Sequence, residues 1–132
     1  SILEKNVDKK YMLSEKILKT ILKHGTGGYY SKSEIDLEIA RPLTRTMVKM
    51  HRANQDNYYS NKFILGEKKL KWIRKLTPLE ALRLQGFTDK MYYKTKDASL
   101  SDAQMYMQAG NSVTVNVVEA ILSHLIKHSW FK

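Results

Sequence analysis

Apolar residues recur at helical spacing towards the end of the chain. Val113, Val117, Ile121 and Leu125 stand one helical turn apart, with Val118, Leu122 and Ile126 in a second row beside them. This stripe is wider than a surface helix needs, and it predicts a long helix buried against something large. Two shorter helices are expected before it. Thr77-Pro78-Leu79-Glu80 is a capping box with proline at the first helical position, and Gly86 is placed to end that helix in the left-handed region. Ser101-Asp102-Ala103-Gln104 repeats the box for a helix ending near Gly110, after which Asn111 or Ser112 is the expected cap of the long helix. Earlier in the chain, Ser14 opens a helix expected over 15–24. Ile17, Leu18, Ile21 and Leu22 form its apolar side, Lys16, Lys19 and Lys23 its wet side, Lys23 and His24 suit its C-terminal dipole, and Gly25 is its stop.

In the middle the period changes. Tyr29-Tyr30, Ile35, Leu37 and Ile39 alternate as in a strand. Pro42, Thr44, Thr46 and Val48 favour extended backbone over 41–50, which would aim Arg41, Arg45 and Lys49 to one side. Phe63 to Leu65, then Gly66-Glu67-Lys68-Lys69, then Leu70, Trp72 and Ile73 read as a hairpin leading into Arg74. Residues 1–12 show no clear period. The pattern predicts an α+β chain: a small irregular β-rich module with a leading helix over 1–73, then a helical region over 74–132.

Composition adds a partner to this picture. The chain has 132 residues, enough for one modest core, and 23 Lys and Arg against 13 Asp and Glu leave a net charge of +10. That surplus favours a polyanion, nucleic acid first and an acidic membrane surface second. It is also concentrated: from Ile39 to Gln55 no acidic residue occurs, while Arg41, Arg45, Lys49 and Arg52 are basic. The run that follows, His51 to Asn61, includes Arg52, Asn54, Gln55 and Asn57, types that pair with guanine and adenine edges in the major groove. Arg41, Arg45, Lys49, His51, Arg52, Asn54, Gln55 and Asn57 are therefore the candidate DNA face. The alternative is a solvated charged face beside a polar loop.

Other chemistry is excluded or reduced. With no cysteine the chain has no disulfide, no zinc thiolate and no thiol nucleophile. No apolar run approaches the ~20 residues of a membrane span and no signal peptide opens the chain, so a cytosolic protein is expected. The start at Ser1 fits a processed terminus or a fragment. Gly25-Thr26-Gly27-Gly28 lacks the spacing of a phosphate loop and is expected to be a turn. His124 and His128 lie on one helix face without a third ligand, and no metal site is expected there. Gly110-Asn111-Ser112 remains. A helix start with free amides and two polar side chains serves either as a cap or as a holder for a polar ligand.

Two segments resemble conserved motifs of the DNA (cytosine-5) methyltransferases. Arg74, Leu76, Thr77, Glu80, Arg83, Gln85, Gly86 and Phe87 match the ninth motif, and Gln108, Gly110, Asn111, Ser112 and Val113 match the tenth. Residues 1–73 match more loosely, in length and in the character of a target recognition domain. In that family a cysteine thiolate attacks C6 of a flipped cytosine, a glutamate assists at N3, and a methyl group moves from S-adenosylmethionine to C5. The Pro-Cys, Glu-Asn-Val and glycine-rich cofactor motifs are all absent here. The resemblance therefore implies a C-terminal part, as a natural subunit or as a fragment, that is inactive alone. Its tenth-motif helix would complete a Rossmann-like methyltransferase domain supplied elsewhere. Asn111, Ser112 and Val113 would contribute to the S-adenosylmethionine site, with Arg83 and Gln85 as organising residues. Thr88 stands where proline usually follows Gly-Phe. Pro42-Leu43 stands where the recognition domain has Thr-Leu, which implies that Thr44 takes the phosphate contact and joins the DNA face. The implied partners are double-stranded DNA and the catalytic N-terminal part, in a nucleoid-associated, restriction–modification setting. The rival reading is a stand-alone DNA-binding module, which would have little to cover the apolar face at 113–126.

Overall fold

Both capping boxes form. Thr77 Oγ1 accepts from the Glu80 amide at 3.2 Å and the Glu80 carboxylate accepts from the Thr77 amide at 2.8 Å, starting helix α3 (Pro78–Leu84). Ser101 and Gln104 make the same reciprocal pair at the start of α5 (Asp102–Asn111). Gly86 follows α3 at φ +83°, the left-handed backbone expected of it. The computed structural model describes residues 2–23, 25–26, 28–30, 32–49, 51–52 and 54–128. Ser1, the expected helix end at His24, Gly27 of the glycine turn, and Met50 and Ala53 of the basic and polar runs lie outside the described residues.

The elements are α1 (Glu15–Leu22), β1 (Gly25–Thr26), β2 (Tyr29–Tyr30), β3 (Tyr58–Ser60), α2 (Asn61–Leu65), β4 (Ile73–Lys75), α3, α4 (Asp89–Asp97), α5 and α6 (Val115–Lys127). Strands β1 and β2 pair antiparallel, as do β3 and β4, with Tyr59 opposite Arg74. The result is a mixture of helices and small two-stranded sheets.

Several expected elements differ. Residues 35–39 form bends, not a strand. The stretch 41–50 is open backbone followed by turns: the Met47 amide donates to the Thr44 carbonyl and the Lys49 amide to that of Thr46. The cause is tertiary. The Arg52 guanidinium binds the Thr44 and Thr46 hydroxyls at 2.9 and 2.8 Å and draws the chain into a turn despite its β-branched residues. Arg41, Arg45 and Lys49 therefore do not share a strand face. The expected hairpin exists, but its first arm is Tyr58–Ser60. Phe63 to Leu65 belong to α2, which Ser60 caps through the Phe63 amide at 3.3 Å. Helix α4 was not expected; it has no buried residue and so gives no apolar stripe to read. At the last junction Asn111 ends α5, Ser112 is its C-cap, and Thr114 is the N-cap position of α6, so neither Asn111 nor Ser112 caps the long helix.

The centre is an ion pair. Arg74 and Glu80 are both fully buried and bond bidentately at 2.7 and 2.6 Å. The Glu4 amide also donates to Glu80, the Glu4 carbonyl accepts from Arg74, and the Thr77 hydroxyl donates to the Glu4 carboxylate. Around this pair Tyr11, Ala81, Leu82, Tyr106 and Ala109 form one apolar cluster, and Ile21, Tyr58 and Ile73 form another. Helix α6 adds nothing to either. Its stripe is open, with Val117 52%, Ile121 54% and Ile126 69% exposed. Among the described residues no helix is long and apolar enough to cross a membrane.

Two stability predictions follow from these contacts. Glu80→Gln leaves the buried Arg74 charge without its counter-ion and should cost about 3–5 kcal/mol in urea unfolding. Asp102 accepts from Lys10, Tyr11 and Lys96 at 2.6, 2.7 and 3.1 Å. Burial opposes ionisation of its carboxyl, but these bonds outweigh it and pull the pKa from 3.8 down to about 2. A folded-state value below the unfolded one means the contribution is present above the unfolded pKa and is lost as pH falls through about 2. The melting temperature should therefore fall more steeply across this window in the wild-type chain than in Asp102→Asn.

Candidate cofactor and DNA-facing site

The end of α5, the head of α6 and the end of α3 meet at Gln85. Its side-chain Nε2 donates to the Ala109 carbonyl at 2.9 Å, and its Oε1 accepts from the Thr114 hydroxyl at 2.7 Å. Its backbone carbonyl accepts from the Val115 amide at 2.9 Å. The Ser112 hydroxyl donates to the same Ala109 carbonyl at 2.8 Å. Asn111 and Val113 are exposed on either side. Ser112, Val113 and Thr114 form one wall of a cleft of about 580 Å3, with Leu84 and Gln85 beside them and Ala40 to Leu43 opposite. Of the expected cofactor residues, Ser112 and Val113 line this cleft with Pro42 and Leu43, while Asn111 is exposed outside its lining.

The candidate DNA residues divide into two groups. Arg41 is partly buried; its guanidinium donates to the Glu34 and Asp56 carbonyls at 3.1 and 3.2 Å and pairs with the Glu34 carboxylate at 3.3 Å. Asn57 is buried and clamps Arg41, accepting from its amide at 2.8 Å and donating to its carbonyl at 3.0 Å. Arg52 holds Thr44 and Thr46 as described above. These three residues build the loop. Arg45, Lys49, Asn54 and Gln55 are exposed, and among the described residues their side chains make no hydrogen bond. Asn54 and Gln55 share a cleft of about 270 Å3 with Arg41, Pro42 and Thr44. Arg45 and Lys49 border another of about 370 Å3, whose far wall includes Gln104 and Met107 of α5. Burial pushes the His51 imidazole below its ordinary pKa, the Lys75 cation adds to this, and a ring nitrogen lies 3.4 Å from the Tyr58 hydroxyl.

Two residues escaped sequence reasoning. Gln104 and Met107 carry no local signal for their cleft. Gly110 does: a glycine inside a helix is costly against alanine, and here it has a packing reason. A Cβ there would stand 2.6 Å from the Thr44 carbonyl oxygen and closer still to the Thr44 carbonyl carbon and the Arg45 nitrogen. Gly110 therefore lets the Thr44–Arg45 backbone lie directly on α5. Gly110→Ala should cost about 1–3 kcal/mol by overpacking and displace the 44–49 turn, visible as shifted amide resonances of Thr44 to Lys49.

Comparison with known proteins gives this site a context. The family model described as C-5 cytosine-specific DNA methylase matches residues 1–127. The type II methyltransferase M1.ScrFI of Lactococcus lactis subsp. cremoris is 34% identical over 134 residues, covering 96% of this chain and 31% of that protein. M.HpaII of Haemophilus parainfluenzae is 36% identical over 131 residues, covering 89% of this chain and 34% of that protein. The orphan methyltransferase M.SPBetaI of Bacillus phage SPbeta is 54% identical over 54 residues, covering 41% of this chain and 12% of that protein. The chain thus spans about a third or less of these curated relatives. Among solved structures, the Entamoeba histolytica methyltransferase EhMeth shares the fold with a TM-score of 0.70 at 22% identity, covering 96% of this chain and 39% of that one. A family match over nearly the whole chain, joined to relatives above 30% identity that cover most of it, settles the assignment: this chain belongs to the C-5 cytosine-specific DNA methylase family.

Proposed function

We propose that this chain is the C-terminal part of a DNA (cytosine-5) methyltransferase, recognising the target duplex and completing the S-adenosylmethionine pocket. The observation that carries this reading is the head of α6: Ser112 opens on a cleft while the apolar stripe beside it, Val117, Ile121 and Ile126 included, is uncovered. A contiguous apolar face of this kind is uncommon on a soluble monomer. It suits a helix that completes a Rossmann-like catalytic domain supplied by the missing part, and it speaks against a stand-alone DNA-binding module. In this reading residues 1–73 form the recognition region and 74–132 the docking region.

The residues present fit one end of the cofactor. The Ser112 hydroxyl already donates to Ala109, which leaves its oxygen to accept. Among the described residues the Asn111 amide is unbonded, and it can donate as well as accept. An acceptor beside a donor complements the ammonium and carboxylate of an amino-acid end such as that of S-adenosylmethionine. That cofactor supplies the methyl group, while this chain only binds and orients it, having no thiol of its own. On the DNA side Arg45 and Lys49 meet phosphate, and Asn54, Gln55 and His51 are placed to read base edges, with Thr44 at the backbone. Arg41, Arg52 and Asn57 shape the loop that carries them. The type II relatives support a restriction–modification setting for the complete protein; in this reading it works in the cytoplasm beside the nucleoid.

Two experiments test this reading. The purified chain should incorporate no tritiated methyl group into DNA, and mixing it with a chain that carries the missing motifs should restore transfer; incorporation by this chain alone would sink the proposal. Duplex binding should weaken steeply with salt, and Arg45→Ala should lower affinity on target and random duplexes alike while flattening the salt slope by about one unit. A loss confined to the target sequence would instead assign Arg45 to a base.

A further inference from the structure

We propose that Gln85 is a positioning residue for the cofactor: its side-chain amide, bonded at once to Ala109 and Thr114, fixes where Ser112 presents its oxygen. This rests on the reading of Ser112 as a cofactor contact, and it gives the ninth motif a share in the pocket otherwise assigned to the tenth.

The bonding determines the orientation. Gln85 is buried, and each end of its amide has one partner, of which the Ala109 carbonyl fixes the orientation. The Ala109 carbonyl can only accept, so it takes Nε2 at 2.9 Å; the Thr114 hydroxyl donates to Oε1 at 2.7 Å. A flip would set Oε1 against the Ala109 carbonyl oxygen and lose that bond, although the Thr114 hydroxyl can serve either end of the amide. A carbonyl oxygen has two lone pairs, and Gln85 occupies one of those on Ala109. The Ser112 hydroxyl, at 2.8 Å from the same oxygen, takes the space left beside Gln85, together with a longer 3.4 Å bond from the Ser112 amide. Thr114 lies two residues further on, so the Gln85 amide holds the turn on both sides of Ser112. The backbone bond from Val115 to Gln85 and the close packing of Gly86, where a Cβ would stand 2.9 Å from Asn116 Oδ1, keep the end of α3 against the head of α6. Gln85 thus acts on the pocket through Ser112.

A double-mutant cycle in the complete methyltransferase separates this role from general stability. Gln85→Met keeps the volume and removes both bonds; Ser112→Ala removes the proposed contact. Thr114→Val removes one bond to Gln85 from its partly exposed partner and carries the test if Gln85→Met does not fold. Calorimetric titration of S-adenosylmethionine is the readout, with melting temperature and duplex affinity measured alongside. Each single variant should raise the cofactor Kd roughly two- to tenfold with duplex affinity unchanged, and the double variant should be no worse than the weaker-binding single. Three outcomes would overturn the proposal: an unchanged cofactor Kd in a folded Gln85→Met, or in Thr114→Val should it carry the test; losses that add fully in the double variant; and a lowered melting temperature as the only effect. If Ser112→Ala itself leaves the Kd unchanged, the cofactor reading of Ser112 fails and this inference falls with it. If Ser112→Ala raises the Kd while Gln85→Met does not, only the role of Gln85 fails.

Discussion

The ion pair between Arg74 and Glu80 joins the N-terminal stretch, a strand and a helix of this chain. Two charges with no exposure to water carry a desolvation cost of several kcal/mol each, which their mutual attraction offsets only with good geometry and satisfied neighbours. Here the geometry is a fork on a carboxylate, and the neighbours are backbone groups. Glu80 also receives the amides of Thr77 and Glu4, and Arg74 also donates to the carbonyls of Lys75 and Glu4. The pair therefore fixes three segments at once: the N-terminal stretch at Glu4, strand β4, and the first turn of α3. One carboxylate serves as the capping-box residue of a helix and as the counter-ion of a neighbouring strand. Shifting any of these segments by one residue would strand a buried charge, so the pair constrains their register.

The legible parts of the fold were those whose physics is local. A capping box is read from four consecutive residues, and both boxes formed because each satisfies orphan amides within its own first turn. Gly86 was legible for the same reason: only its own backbone angle was in question. The segment 41–49 was not, because its conformation is imposed from outside. Thr44 and Thr46 carry strand propensity, but a guanidinium from Arg52 binds both hydroxyls, and Asn57 clips the backbone of Arg41. Phe63 to Leu65 show the opposite error. Three apolar residues in a row suggested a strand, while the cap at Ser60 decided for a helix.

The candidate site was legible by residue type and misread by element. Gly110, Asn111 and Ser112 stood out as a polar tripeptide before an apolar helix, and the structure does bring Ser112 and Val113 to one cleft. Yet the tripeptide closes α5 and does not open α6. The difference changes the chemistry. At a helix N-terminus the free groups would be amides, suited to an anion. At the C-cap of α5 the Ser112 hydroxyl instead turns back to a helix carbonyl, so its oxygen is left as an acceptor. Of the basic stretch, Arg41 proved to be scaffold, and Arg45 and Lys49 remained free at the surface, a division that charge alone does not reveal.

One helix end then serves both faces. Gly110 carries the Thr44–Arg45 backbone in direct contact, and two residues later Ser112 borders the cleft beneath α6. Between them sits Ala109, whose carbonyl takes both the Gln85 amide and the Ser112 hydroxyl. A close-packed contact transmits displacement, because no void remains to absorb it. The proposed DNA-facing and cofactor-facing residues thus share a single turn of α5, with a glycine on one side because no side chain fits and a serine on the other because a small acceptor does. The spacing of Gly110 and Ser112 on which the resemblance rested has, in this chain, a structural counterpart: the Thr44–Arg45 backbone and the cleft both meet the same helix end within one turn.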